Sequence, residues 1–362
     1  MKVPQIDFSR SDYITSAQFH CNRWLNGLGD MWPVTWAADD NLYAGAGDND
    51  PSTRIKGLAG PMWSPMNFWR INANKMPELV DNWPIDPRIY CQKPHVDKTN
   101  GIKPAGLLSV NGTLYLAVEN MNYGENPVFN RQRNVNAWII TSVDYGRSWN
   151  RDATPQDFFT GRLSSPHFIQ FGRDYAGSRD EYVYATFPGA DDGNSYWCNG
   201  DYLLLGRVPK ESILRRDQWE FYAGLDQAQA PIWIGDDSAA TAVFRYTTFT
   251  GENHVAYNPG IRRYLMGNYA FYGKDGEPRP YHNKPWCEYT TQLTLFEAPE
   301  PWGPWKLFYK DDCWGVGEYQ PNFPTKWMSE DGRKMTMISS GNNEDYCLVC
   351  QDLYLNIQES LP

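Results

Sequence analysis

Helix-forming signals are scarce in this chain of 362 residues, and so are the marks of several broad functional classes. One helical turn is expected, over residues 210–216. A basic stripe is missing. Lys and Arg number 33 against 43 Asp and Glu, a net charge of −10, and the densest basic run is Leu214-Arg215-Arg216. A protein that neutralises phosphates needs clustered cations, so no nucleic-acid partner is expected. No apolar stretch approaches the roughly 18 residues a membrane span requires, so no membrane association is expected. The opening MKVPQIDFSRSDY has no apolar core of a signal peptide. The expectation is a soluble protein, either cytoplasmic or secreted with its signal already removed.

Histidine is sparse too, with His20, His95, His167, His254 and His282 only. None stands in an HxH or HExxH spacing, and no metal site or cofactor is expected. There is no GxSxG, and Gly45-x-Gly47 lacks both the third glycine and the following helix of a phosphate loop. The seven cysteines are odd in number, so at least one is unpaired within the chain. Cys347 and Cys350 form a CxxC without a second pair. In a strand, positions i and i+3 face opposite sides, so the two read as buried structural thiols. A disulfide from Cys21 to the last strand, closing a ring, is the second reading.

What the chain does have is aromatic residues, 15% of the total with 16 Trp and 23 Tyr. Aromatic rings fit the half-buried surface of a sheet, and flat rings also pack against sugars. A motif of about 20 residues recurs five times, at 32–49, 103–120, 165–191, 252–268 and 319–343. Each copy is an apolar strand, a polar turn and a second apolar strand that ends at Asp48, Glu119, Asp191, Asn268 or Asn343. Repeats of this kind predict an all-β, five-bladed β-propeller. We read residues 1–362 as a single domain, with 1–24 as an extension or a ring-closing strand. Early-strand positions Pro33, Pro104, Pro166, Thr241 and Pro321 lie 62 to 80 residues apart by subtraction. Four strands need roughly 40–50 residues, so the excess belongs to long loops, at 50–67, 122–134, 191–200 and 273–285. Ser142-x-Asp144-x-Gly146-x-x-Trp149 fits an Asp-box hairpin, a structural turn on the propeller rim.

Carboxylates are the first candidates for chemistry. Asp30 precedes the first inner strand and Asp48 ends the second. An antiparallel pair brings those ends within about 5 Å. Two carboxyls about 5–5.5 Å apart suit a retaining glycosidase, and a wider gap suits inversion. Glu119, Asn120, Asp191, Asn268 and Glu318 share that end of later blades, and His167 lies in an inner strand. Trp32, Trp36, Tyr269 and Arg245 are read as sugar contacts, with Trp63, Trp69, Tyr123, Trp197 and Trp286 on the same face and Arg54, Arg131 and Arg133 as further cations for a carboxylate or hydroxyls.

The stretches GDMWPVTWAADDNLYAGAGDN, SSPHFIQFG, DEYVYATFPG and FEAPEPWGPW resemble a bacterial family long classed as a domain of unknown function. Its characterised members are endo-D-arabinanases acting on mycobacterial arabinan. They are related to five-bladed propeller glycosidases that include arabinanases, β-xylosidases and invertases. The resemblance spans residues 25–355 and is most specific in the first blade. It implies a retaining mechanism carried by two aspartates, which here match Asp30 and Asp48. This chain departs from the family in reading Gly47-Asp48-Asn49 where many members have GDT, and in its long aromatic loops. The expectation is a glycoside hydrolase acting on an oligo- or polysaccharide, arabinofuranosides included, with carbohydrate as its partner and Asp48 and Asp30 as nucleophile and acid/base. Two rivals remain. A polysaccharide lyase would use His167, His254, Tyr269 and Arg245 around a uronic acid. A non-catalytic glycan-binding propeller would release no product. Nothing in the sequence speaks to oligomeric state.

Overall fold

The computed structural model describes residues 8–25, 29–49, 64–72, 75–81, 84–85, 100–122, 132–273, 275–278, 289–315, 317–341 and 347–358; for 21–25, 48, 49, 64, 65, 100 and 122 it describes the backbone alone. It is an all-β protein whose five small sheets form a five-bladed propeller.

The amino-terminal strand is β1 (Ile14–Leu25). The first blade runs outward as β2 (Asp30–Trp36), β3 (Leu42–Asn49), β4 (Ser64–Ile71) and β5 (Pro77–Asp81). The second is β6 (Asn100–Val110), β7 (Thr113–Asn122), β8 (Arg133–Ser142) and the short β9 (Phe159–Thr160). The third begins with the two-residue β10 (His167–Phe168) and β11 (Tyr182–Gly189). A short strand, β12 (Ser195–Tyr196), leaves to pair with β8 of the second blade. The third blade continues through β13 (Gly200–Pro209), β14 (Glu220–Leu225) and β15 (Pro231–Ile234), and β16 (Phe244–Thr250) also pairs with β13. The fourth is β17 (His254–Asn258), β18 (Arg263–Gly273), β19 (Tyr289–Ala298) and β20 (Lys306–Asp311). The fifth is β21 (Tyr319–Asn322), β22 (Lys334–Gly341) and β23 (Cys347–Ile357).

The ring closes through β1. It pairs antiparallel with β23 from Ile14 opposite Ile357 to Leu25 opposite Leu348, so the chain's two ends build one sheet. Ile14 packs in the same cluster as Leu353 and Leu355 of β23. Cys347 and Cys350 are buried in β23; the side chain of Cys21, and Cys91 and Cys287, lie outside the described residues.

The five sequence repeats correspond to the two innermost strands of each blade. One spacing marker is corrected. Thr241 does not open the fourth blade, because the strand after it, β16, joins the third sheet through β13, and the fourth blade opens at His254. The expected helical turn is two short 3-10 turns, Lys210–Ser212 and Arg216–Gln218.

Prolines in the innermost strands follow from topology. β2, β6 and β21 each end the order of their sheet, so the N–H that Pro33, Pro104 or Pro321 lacks leaves no ladder bond broken. Adjacent blades meet there at close range. A Cβ on Gly45 of β3 would lie 2.7 Å from Cβ of Pro104, so only glycine lets these blades approach. Farther out, buried aromatics fill the space. Trp32, Trp69, Trp138 and Trp219 are among the fully buried side chains, each worth about 1.5–3 kcal/mol by area removed from water. The Asp box forms as expected. Asp144 Oδ1 accepts from Ser148 N at 2.9 Å, Ser142 Oγ accepts from Gly146 N at 2.8 Å, and Trp149 sets its edge against Phe68 of the first blade.

Candidate active site

The hairpin geometry defines two ends of the axis. β2 starts at Asp30 and runs to Trp36; the turn 37–41 follows, and β3 returns to Asn49. Asp30, the ends of the second strands and the starts of the other inner strands therefore share one end. Trp36 lies at the other, where its Nε1 donates to Asp40 Oδ1 at 2.9 Å and Lys326 pairs with Asp40 at 3.0 Å. That contact separates Trp36 from Asp30, contrary to its expected place among the sugar contacts.

Asp30 is buried at the mouth of the axis and held from three blades. Tyr319, at the start of the fifth blade, donates its hydroxyl to Asp30 Oδ2 at 3.0 Å. Lys103 of the second blade places Nζ 3.6 Å from Asp30 Oδ1. Within its own hairpin Asp30 stands opposite Gly47, where a Cβ would come within 2.5 Å of Asp30 Oδ1 and 2.9 Å of Lys103 Cδ. A glycine at 47 is what gives these two charged groups room. After Asp30 the strand bulges, with Met31 and Trp32 in the left-handed region at φ 78° and 58°. Met31 N donates to Ser340 Oγ of the fifth blade at 2.6 Å, which holds the bulge. Such backbone strain, of order 1–3 kcal/mol per residue, gathers at functional sites. The register puts Asp48 one position beyond Gly47, and its side chain lies outside the described residues.

Behind Asp30 lies a second layer of polar groups. Lys103 sits directly opposite Glu119 in the β6–β7 register. Glu119 is fully buried, and loss of solvation pushes its carboxyl up to about 7, while Ser165, Glu252 and the Lys103 charge pull the other way. Glu252, just before β17, meets Glu119 and is fully buried too; burial and the neighbouring carboxylate hold it well above the ordinary value. Its Oε1 accepts from Ser165 Oγ at 3.0 Å and Asn134 Nδ2 at 3.2 Å, and its Oε2 from Gln320 Nε2. Ser165 Oγ also lies 2.8 Å from His167 Nε2. The rings of His167 and His254 meet edge to face at 5.0 Å. Burial pushes His254 down to about 3 and His167 well below its ordinary range, so both imidazoles are neutral.

The other expected residues have distinct places. Trp32 is buried between the first and fifth blades, its Nε1 bonded to Gly29 O at 3.2 Å, rather than open to a ligand. Asn268 is consumed by structure. Its Oδ1 accepts from Gly251 N (3.1 Å) and Asn253 Nδ2 (3.2 Å), and its Nδ2 donates to Thr294 (2.9 Å), so it fixes the segment that carries Glu252. Tyr269 is buried and donates to Trp197 O at 2.6 Å. Trp197 lies edge-on to Tyr319 at 5.8 Å, which puts an aromatic surface beside the residue that binds Asp30. Asn120 bonds to Asn136 at 3.1 Å. Glu318 is buried next to Tyr319 and packs over Gly315. Asp191 and Arg245 form an exposed pair at 2.9 Å, with the guanidinium over Tyr202. Trp63, Tyr123, Trp286, Arg54, Arg131, His95 and His282 lie outside the described residues. Among the described residues no group of three or more His, Cys, Asp or Glu could hold a metal, and no helix is long and apolar enough to cross a membrane.

Sequence reasoning missed Lys103, Ser165, Glu252, Tyr319 and Gln320 as site residues. A signal for them existed. Ser165-x-His167, Glu252-x-His254 and Glu318-x-Gln320 occupy the same point of three repeats, two polar residues on one face of each inner strand.

No family model matches the chain. No curated protein resembles it significantly in sequence. Solved structures do share its fold. A candidate hydrolase from Bacteroides ovatus ATCC 8483 superposes with a TM-score of 0.56 at 13% identity, over 91% of this chain and 87% of the other. A GH43_1 enzyme from Xanthomonas citri gives 0.50 at 13% identity, over 94% and 93%. An endo-arabinase from Bacteroides thetaiotaomicron gives 0.49 at 11% identity, over 98% and 99%. At these identities the likeness is one of fold.

Proposed function

We propose that this propeller is a glycoside hydrolase that cleaves an oligo- or polysaccharide at the mouth of its axis. The observation that carries this reading is the meeting there of carboxyl groups in contrasting surroundings. Asp30 has an ammonium and a phenol beside it, and Glu119 is held by burial near the pH at which a proton is readily given. Glycosidic bond hydrolysis needs one carboxyl that keeps a proton for the leaving oxygen and one that acts as an anion. The shared fold with a candidate hydrolase and a GH43_1 enzyme supports the same reading.

In detail, Asp30 is the anionic group, with Asp48 as its partner from the same hairpin in a retaining mechanism. Trp197 and Tyr319, both buried, are the aromatic packing behind Asp30, and arabinofuranosides are the first substrates to try. Lyase chemistry fits less well, because Arg245 is bound to Asp191 on the exposed rim while the two histidines are buried in the axis.

The test is a panel of plant, algal and mycobacterial glycans assayed for released oligosaccharides. Asp30→Asn should reduce turnover by about 10²–10⁴-fold, and because it removes a counter-charge of the buried Lys103 ammonium it should also lower the melting temperature, so turnover is compared where both proteins are folded. Nuclear magnetic resonance of the first anomer released distinguishes retention from inversion. Wild-type turnover in Asp30→Asn would remove that residue from the chemistry, and an unsaturated product absorbing in the ultraviolet would replace hydrolysis with elimination.

A further inference from the structure

Glu119 comes from the second blade and Glu252 from the segment before the fourth; neither is exposed to solvent, and each carboxyl lies close enough to bear on the other. Two bare carboxylates in such a place would repel with almost no water to screen them. The hydrogen bonds around them are unequal. Glu252 accepts from Ser165, Asn134 and Gln320, whereas Glu119, though close to Ser165, has no donor in hydrogen-bond geometry on either oxygen among the described residues. The donor that Glu119 lacks is supplied if Glu252 carries a proton and gives it to Glu119. The titratable groups facing the pair are Lys103 from β6, Asp30 from β2, His167 from β10, His254 from β17 and Tyr269 from β18. Of these, Lys103 is the one that brings positive charge, and it stands between Glu119 and Asp30.

We propose that Glu119 and Glu252 hold one proton between them, and that this pair, acting through Lys103, fixes the charge and position of Asp30. The row then reads Asp30 anion, Lys103 cation, Glu119 anion, Glu252 acid. Loss of the shared proton adds a second negative charge beside Lys103 and draws its ammonium away from Asp30. Glu252 is a positioning residue, since Glu119 and Lys103 separate it from Asp30. The inference deepens the hydrolase reading and rests on it for the role of Asp30, but the shared proton is measurable without any substrate.

The experiment is infrared difference spectroscopy of the folded protein across neutral pH, with wild type, Glu252→Gln and Glu119→Gln compared. At pH 8, above the point near 7 at which Glu119 ionises, wild type should still show the carbonyl band of a buried protonated carboxyl, and Glu252→Gln should lose it. An unchanged band in Glu252→Gln overturns the proposal. If a variant does not fold, carboxyl carbon resonances of wild type labelled at glutamate serve instead. Two glutamates should titrate together, one of them near neutrality, and independent titration of every glutamate in the ordinary acidic range overturns the idea. If the panel yields a substrate, Glu252→Gln should shift the pH profile of turnover, while a merely structural role would lower turnover equally at every pH. A protein with the protonated pair but no glycan product would refute the hydrolase reading and leave the pair standing.

Discussion

Replacing Glu119 with Gln should make the protein relatively more stable the higher the pH. The carboxyl ordinarily ionises at 4.5 and in the folded chain at about 7, chiefly because it is buried. The folded state thus retains a proton that the unfolded chain has released, and stability falls as pH rises from 4.5 to 7. The rise from 4.5 to about 7, at 1.36 kcal/mol for a tenfold change in proton affinity, amounts to about 3 kcal/mol. Full burial means that solvent does not screen this term away. Gln keeps the shape, carries no titrating proton and can donate an N–H to Glu252. Urea unfolding of both proteins at pH 4.5 and about 8 provides the measurement. The difference between variant and wild type should move by about 3 kcal/mol in the variant's favour over that interval. Packing changes alone would shift both pH values alike. A difference independent of pH would show that Glu119 ionises normally, and the two-layer picture of the axis would fail.

The remaining predictions concern space, the rim and ring closure. Gly47→Ala puts a methyl 2.5 Å from Asp30 Oδ1, which should destabilise the fold by about 1–3 kcal/mol and reduce glycan turnover; a stable, active variant would show that Asp30 has room to spare. Asp144→Ala removes the acceptor for Ser148 N and Ser148 Oγ and should lower stability by about 1–2 kcal/mol without changing turnover, as the Asp box lies on the rim. Removal of residues 1–25 takes away β1, the outer partner of β23. Unfolding followed by circular dichroism and by tryptophan fluorescence should then lose its single cooperative transition, and a sharp transition at the wild-type temperature would refute closure through β1.

Much of the fold was legible because it repeats. Five hairpins with the same order of apolar strand, polar turn and apolar strand suffice to predict five blades. The fourth repeat, 252–268, fell on the fourth blade, but its spacing marker Thr241 did not, because β16 after it is a strand by composition yet pairs with β13, and pairing is a tertiary fact. Ser142, Asp144, Gly146 and Trp149 gave the Asp box correctly, since a turn is set by residues close in sequence.

The site was legible only in its local half. Asp30 lies in the hairpin whose two ends meet by strand pairing, so a single repeat was enough to single it out. Glu252 is 133 residues from Glu119, by 252 − 119, and no local pattern joins them. They meet because a closed ring places the second and fourth blades around one axis, and burial there raises carboxyls that would be ordinary on a loop. The same closure explains why Trp36 lies away from Asp30. Its neighbour in sequence, Trp32, is four residues away, but a hairpin puts the two ends of its strands at opposite mouths of the axis. Residue type pointed to sugar chemistry in both tryptophans; position in the ring decides which groups can reach Asp30, and it selects Lys103, Tyr319 and, through Tyr319, Trp197.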